Sequence, residues 1–305
     1  MVTHLSHIIM NITNHLSNQT ASWSPRPEKR FLLPAILLFV FLVQPFLVAA
    51  QGNLLINPVR VVFEGNKQRE EITLANTGQD TAVYAITFVQ YRMTPSGSFE
   101  QIAEPDPGQH FADPYLRYFP RRVTLAPNES QIVRMQLRRS PDMVDGEYRS
   151  HLYFRAVPDE RPLGEDPLPE DTTAIGVRLV PIFGITIPVI IRHGDTFVNA
   201  AFRDLEIVNT PEQQPQLRFT ITREGNISLY GDIAVTYDAP GTEAVQIGIV
   251  RGLAVYAPNT SRSFTLPLNI PEGLDLSKGR INIRYASSSD LRKEVYAETT
   301  ITLNH

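Results

Sequence analysis

T-A-I-G-V-R-L-V-P-I-F-G-I-T-I-P-V-I-I-R, residues 173–192, is a long apolar segment in a chain that otherwise reads as short strands and turns. A membrane-spanning helix needs about 20 nearly unbroken apolar residues, whereas Pro181, Gly184 and Pro188 interrupt this segment. Most of its apolar residues are β-branched, which favours an extended conformation. We therefore predict a β-strand here and not a helix.

Alternate residues of a strand share one face, and here that face is apolar: Val177, Leu179, Phe183, Ile185 and Ile187. Because proline cannot donate to a sheet ladder, the two prolines of the segment confine it to a sheet edge or to a bulge. Two interpretations stay open. In one, the edge is kept open and pairs with a strand of another protein by β-augmentation. In the other, this is the long final strand of a sandwich, with both faces buried.

The rest of the chain predicts an all-β protein. Short alternating segments recur, separated by turn signals, with no helical period of useful length, a pattern typical of β-sandwiches. Residues 55–63 and residues 81–92 are each predicted as one strand, and about seven further strands are predicted after residue 197. Residues 158–172 are acidic and rich in proline, which predicts a mobile loop directly before the apolar strand.

Residues 1–50 predict an export leader. A basic flank precedes the apolar run of residues 31–48, and small residues follow it, as in a signal peptide cleaved after Ala50. An uncleaved anchor is the alternative, and because the leader is long, the true start could be Met10 or later. The predicted organisation is a leader at 1–50, a first domain at 51–193 that carries the apolar strand, and a second domain at 194–305.

Composition excludes several classes of function. The chain has no cysteine, and 28 Lys+Arg against 32 Asp+Glu give a net charge of −4. A mildly acidic chain argues against a nucleic-acid partner, and the lack of cysteine removes thiol catalysis and Cys-based metal sites. Outside the predicted leader no histidine pair has metal-ligand spacing, and the sequence has no nucleophile elbow, phosphate loop or dinucleotide-binding glycine pattern. We expect no enzyme activity, no metal and no cofactor.

Four segments resemble the periplasmic pilus and fimbrial chaperones of the chaperone-usher family. They are N-P-V-R-V-V-F-E-G at 57–65, I-T-L-A-N at 72–76, F-P-R-R-V-T-L-A-P-N-E-S-Q-I-V-R at 119–134 and G-E-Y-R-S-H-L-Y-F-R-A-V-P at 146–158. The resemblance covers about residues 54–192. It implies two immunoglobulin-like β-sandwich domains in a boomerang arrangement. It also implies a periplasmic chaperone that donates its long apolar strand to pilin-like subunits and delivers them to an outer-membrane usher.

The resemblance also implies roles for single residues. Arg60 matches the arginine that binds the subunit's C-terminal carboxylate. The family's partner lysine falls at Pro188, so half of the expected carboxylate site is missing, and Arg178 and His193 are weak candidates to replace it. An interdomain ion-pair network is implied for Glu147, Arg192 and Asp290.

Other functions remain open at this point. The main alternative is a secreted structural or adhesive pair of β-sandwiches that has no subunit client. A sandwich hydrolase or carbohydrate-binding module is disfavoured, because no acid pair or aromatic platform is apparent. Since an apolar edge left bare in solution favours association, we also expect a self-capping homodimer.

Overall fold

The computed structural model describes residues 54–158, 182–210, 213–239, 243–274, 276–288 and 294–304, with only the backbone at residues 210, 213 and 304. Within these ranges the chain forms eighteen strands and a 3₁₀ turn at Asp113–Tyr115. No helix in the described ranges is long and apolar enough to cross a bilayer. The predicted leader lies outside the described residues.

The first half of the described chain folds into two sheets and a hairpin. Its strands are β1 (Leu54–Asn57), β2 (Val61–Phe63), β3 (Arg69–Asn76), β4 (Ala82–Val89), β5 (Tyr91–Met93), β6 (Phe99–Gln101), β7 (Leu116–Phe119), β8 (Arg122–Leu125), β9 (Ser130–Leu137), β10 (Gly146–Val157) and β11 (Gly184–His193). One sheet has the order β1-β3-β9-β7 and the other the order β2-β11-β10-β4-β8, while β5 pairs with β6.

The second half forms another pair of sheets. Its strands are β12 (Val198–Thr210), β13 (Gln213–Gly225), β14 (Leu229–Asp238), β15 (Val245–Val255), β16 (Ser261–Pro267), β17 (Lys278–Ser287) and β18 (Val295–Asn304). The sheet orders are β12-β13-β16 and β15-β14-β17-β18. No described strand of one half pairs into a sheet of the other half. The predicted all-β fold of two sandwich domains is confirmed, and we propose the boundary at 193–194, between β11 and β12.

Each sandwich has its own apolar core, because the alternating residues of its two sheets face each other. In the first sandwich, Ile72 and Val133 of one sheet and Phe154 and Val189 of the other are fully buried in the same cluster. The second sandwich is built in the same way around Phe219 and other buried residues. Alternating burial is clearest in β14, whose residues alternate between buried and half-buried along its whole length.

Two predicted strands are interrupted in the structure. Residues 55–63 form β1 and β2, which belong to different sheets, with the break at Pro58. Proline has no N–H for a ladder, so the chain leaves the first sheet there and joins the second three residues later. Residues 81–92 are divided at Gln90, where the chain passes from β4 to the separate β5–β6 hairpin.

Candidate functional site

The apolar strand β11 is paired along its whole length on one side and only in part on the other. It runs antiparallel to β10 from Gly184 to His193. On its second flank it pairs in parallel with β2 at three residues only, from Val189 to Ile191. Among the described residues, no strand pairs with this flank between Gly184 and Pro188. We call this part of β11 the open flank.

The direction of the backbone groups on β11 follows from its pairing with β10. The amide of Ala156 donates to the carbonyl of Phe183 at 2.9 Å. In an antiparallel pair the backbone groups of successive residues point alternately toward and away from the partner strand. Residues 185, 187, 189 and 191 therefore point their N–H and C=O toward β10, whereas Gly184, Thr186 and Pro188 point theirs to the open flank. Pro188 is tolerated in mid-strand because its missing N–H falls on that side.

The apolar residues predicted to form the donated strand differ in their exposure. Phe183 and Ile185 are 47% and 38% exposed, and the neighbouring Ile182 is 51% exposed. Ile187 is 2% exposed and belongs to the core of the first sandwich. Val177 and Leu179 lie outside the described residues. The apolar face of β11 thus runs from the buried core out to exposed side chains beside the open flank.

The opposite face of β11 meets the second sandwich. Ile190 is fully buried in a small cluster with Met93, Ala254 and Tyr256, against which Val62 and Tyr230 also pack. Ile190 is paired with Val62 of β2 and with Arg149 of β10. Since directly paired residues share a face, the side chains of these three strands form one surface against the second sandwich.

Arg60 lies at the end of the open flank. It immediately precedes Val61, which is paired with Val189 just beyond the flank. Its Nη1 donates a hydrogen bond to the Tyr256 hydroxyl at 2.7 Å, and its guanidinium lies 4.2 Å from the centroid of the Tyr230 ring. Two aromatic side chains of the second sandwich therefore hold this half-buried cation in place.

A second guanidinium lies beside the same aromatic ring. Arg149 is 3% exposed, and its guanidinium carbon is 4.1 Å from the centroid of the Tyr256 ring. Its Nη2 donates a long hydrogen bond of 3.4 Å to the carbonyl of Tyr91. Burial lowers the pKa of Arg149, and the positive charge of Arg60 lowers it further, although Glu147 opposes the shift.

His151 completes this polar surface of β10. It is 5% exposed, and its ring contacts the rings of Tyr91 and Phe99 edge to face, with centroid distances of 5.1 Å and 5.9 Å. Burial, with the charges of Arg149 and Arg60, lowers the pKa of His151 to about 3. His151 is therefore neutral at physiological pH, and the two arginines supply the positive charge here.

Glu147 and Arg192 form a separate network at the other end of this surface. The Glu147 carboxylate accepts hydrogen bonds from the amide of Ser228 at 3.0 Å and from its hydroxyl, and lies 3.8 Å from Arg192. Arg192 also donates to the Ser228 carbonyl at 3.3 Å and lies 3.7 Å from Glu64. The contacts of Glu147 and Arg192 with Ser228 join the two sandwiches. Asp290, the third predicted member, lies outside the described residues.

The structure describes one of the two residues considered as a replacement for the missing lysine, His193. Arg178 lies outside the described residues. His193 lies two residues after Ile191 on β11, so both side chains are on the core face of the sheet, opposite to the face of Arg60. Arg149 does share that face, and we did not predict it. The only sequence signal is that Glu147, Arg149 and His151 alternate along one strand.

Among the described residues, no group of three or more His, Asp or Glu side chains is placed to hold a metal ion. No protein-family model matches the chain, and no curated protein matches it.

Several fimbrial chaperones are among the solved structures to which this chain is similar. The class 5 fimbriae chaperone CfaA is 16% identical, with 83% of this chain and 100% of that chain covered and a TM-score of 0.40. The CupB2 chaperone of Pseudomonas aeruginosa is 13% identical, with 82% and 99% covered and a TM-score of 0.41. The Salmonella enterica SafB chaperone, solved in complex with the SafA pilin, is 14% identical, with 82% and 96% covered and a TM-score of 0.37.

Proposed function

We propose that this protein is a periplasmic chaperone that binds pilus or fimbrial subunits by donor-strand complementation and delivers them to an outer-membrane usher. The observation that carries the proposal is the open flank of β11, from Gly184 to Pro188, beside the exposed apolar side chains of Phe183 and Ile185. An unpaired apolar edge in a soluble protein is a template for another strand. Each Å² of apolar surface that such a strand covers contributes about 25 cal/mol.

The position of β2 supports a parallel orientation for the added strand. β2 runs parallel to β11 and pairs with it from Val189 onward, so an added strand cannot extend past Pro188 on this flank. A strand parallel to β11 would end there with its C-terminus beside Arg60. An antiparallel strand would begin there, with its N-terminus beside Arg60. A guanidinium binds both oxygens of a carboxylate, so Arg60 favours the parallel orientation with the subunit's C-terminus at this point.

The Glu147–Arg192–Ser228 network supports a fixed arrangement of the two sandwiches around this site. Tyr230 and Tyr256, which position Arg60, belong to the second sandwich, while the open flank belongs to the first. A carboxylate site built from both sandwiches requires that they do not separate. We propose this positioning role for Glu147 and Arg192.

The test is the capture of a subunit in the periplasm of the native cells. The variant Phe183→Asp places a charge beside the open flank at a side chain that is already half-exposed, so the chaperone should stay folded. The matched control is Ile132→Asp on β9, where the side chain is 41% exposed on the other sheet. We expect the parent protein and the control to co-purify with an equimolar β-rich subunit, and Phe183→Asp to lose it. Unimpaired capture by Phe183→Asp, or no subunit with the parent protein, would contradict the proposal.

A further inference from the structure

A tyrosine ring lies where Gly184, the first residue of the open flank, would have a side chain. The ring belongs to Tyr153 of β10, and a Cβ atom on Gly184 would overlap its carbon Cε2 and lie 2.6 Å from its Cζ. Tyr153 is paired directly with Thr186, so it reaches Gly184 diagonally across β11. The backbone of Gly184 does not require glycine, because its φ is not positive. The missing side chain instead leaves room for the ring.

The Tyr153 ring lies on the outer face of the sheet, beside the open flank. Successive residues of a strand point to opposite faces, and Phe154, the next residue along β10, is fully buried in the core. Tyr153 therefore points outward, and it is half-buried. Gly184 is still exposed beneath the ring, because no described strand pairs with β11 on that side. The end of the ring thus lies next to the place of an added strand.

A strand added to the open flank would place one of its side chains against this ring. Neighbouring strands lie about 4.8 Å apart, so the Cβ atoms of directly paired residues are about 5 Å apart on one face. Ring atoms of Tyr153 occupy the Cβ position of Gly184. The outward side chain opposite Gly184 would therefore begin about 5 Å from the ring, and a side chain larger than alanine reaches it.

We propose that Tyr153 serves as the side chain that Gly184 lacks, and that it selects an added strand with an aromatic residue in the outward position opposite Gly184. This rests on the proposed function, which concerns the backbone and the opposite, apolar face of β11. An aromatic side chain can pack on the tyrosine ring in an offset or edge-to-face arrangement. Tyr153 is a specificity-determining residue, because it contacts the added strand itself.

The test measures the coupling between the ring and an aromatic residue of the added strand. The host is an acetylated heptapeptide of alternating valine and threonine with a free C-terminal carboxylate, and three further peptides each have one threonine replaced by phenylalanine. Dissociation constants are measured for the parent protein and for Tyr153→Ala. An aromatic pair contributes about twofold to tenfold to affinity. We expect at least one phenylalanine peptide to bind the parent protein that much more tightly than the host, and Tyr153→Ala to lose this gain.

Three further variants separate the contact from other effects, and urea unfolding shows that each is folded. Tyr153→Phe keeps the ring and should keep the gain. Gly184→Ala keeps the tyrosine but places a methyl group where the ring lies, so the ring must move and the gain should fall. The matched control is Thr87→Ala. Thr87 is the exposed neighbour of Tyr153 on β4, on the side away from β11, so this variant should keep the gain.

The outcomes distinguish this inference from the proposed function. If the phenylalanine gain is the same in Tyr153→Ala as in the parent protein, the ring only covers Gly184 and the inference is wrong. If no phenylalanine peptide binds the parent protein more tightly than the host, Tyr153 selects nothing, although strand addition stands. If the parent protein binds none of the peptides, strand addition to β11 fails, and this inference fails with it.

Discussion

Removing one backbone N–H from each side of β11 in turn should distinguish the binding of an added strand from the stability of the fold. Thr186 points its N–H to the open flank and Ile185 points its N–H to β10, so proline at the two positions removes donors with different partners. Thr186→Pro leaves the β10 ladder intact and removes one hydrogen bond to an added strand. A net hydrogen bond contributes about 0.5–1.5 kcal/mol, which weakens peptide binding between about twofold and twelvefold. The bulk of the proline ring adds to this loss.

Ile185→Pro is the matched control, because it leaves the carbonyl of Phe154 on β10 without its donor. An orphaned buried acceptor costs about 1–3 kcal/mol, so we expect a lower free energy of unfolding for this variant. Both variants and the parent protein are compared by urea unfolding and by titration with an acetylated heptapeptide of alternating valine and threonine that has a free C-terminal carboxylate. Thr186→Pro with the parent protein's affinity, or with the stability loss of Ile185→Pro, would refute the assignment of the open flank.

Three further outcomes are expected. Ile187→Ala should lower the free energy of unfolding by about 2–5 kcal/mol, because this side chain is buried in the core of the first sandwich; a loss below 1 kcal/mol in urea would contradict that burial. If the protein caps its own edge as a homodimer, Phe183→Asp should lower its sedimentation-derived mass toward the monomer, and a parent protein that is monomeric at high concentration would exclude the dimer. The pKa of His151 is about 3 in the folded protein, against 6.5 for an exposed histidine. Below pH 6.5 the unfolded chain therefore binds a proton at His151 that the folded protein does not bind, and the free energy of unfolding falls by up to about 1.4 kcal/mol per pH unit. His151→Leu should remove that slope between pH 6.5 and 4, and an equal slope in both proteins would contradict the burial of the ring.

Much of the fold could be predicted because strand alternation and turn residues are local signals. The strand predicted over residues 230–237 lies within β14, and that predicted over 245–255 coincides with β15. Breaks between sheets are harder to predict. Leu55 and Val62 lie in one apolar segment that reads as a single strand, but they belong to strands in different sheets. The segment stays apolar on both sides of the break, so the sequence pattern does not reveal the change of sheet.

The candidate site was harder to predict than the fold. The exposed residues of β11 followed from its apolar face, and Arg60 followed only from the family resemblance. Glu147, Arg149 and His151 alternate as polar residues, a pattern typical of a solvated sheet face, yet all three are buried. They are buried because the second sandwich and the β5–β6 hairpin together cover that face. A single sequence carries no signal for which face another domain covers, so alternation alone could not distinguish Arg149 from a surface residue.

Pro188 links the backbone and the side chains of this site. As a proline it ends the series of N–H donors on the open flank, because Gly184 and Thr186 can donate there and residue 188 cannot. It also provides no cation at the point where the flank ends. An added strand therefore has no backbone donor beyond Thr186 before β2 closes the flank at Val189. Under the proposed function, the described cation at the end of that flank is Arg60, which precedes β2 and is held by Tyr256 and Tyr230.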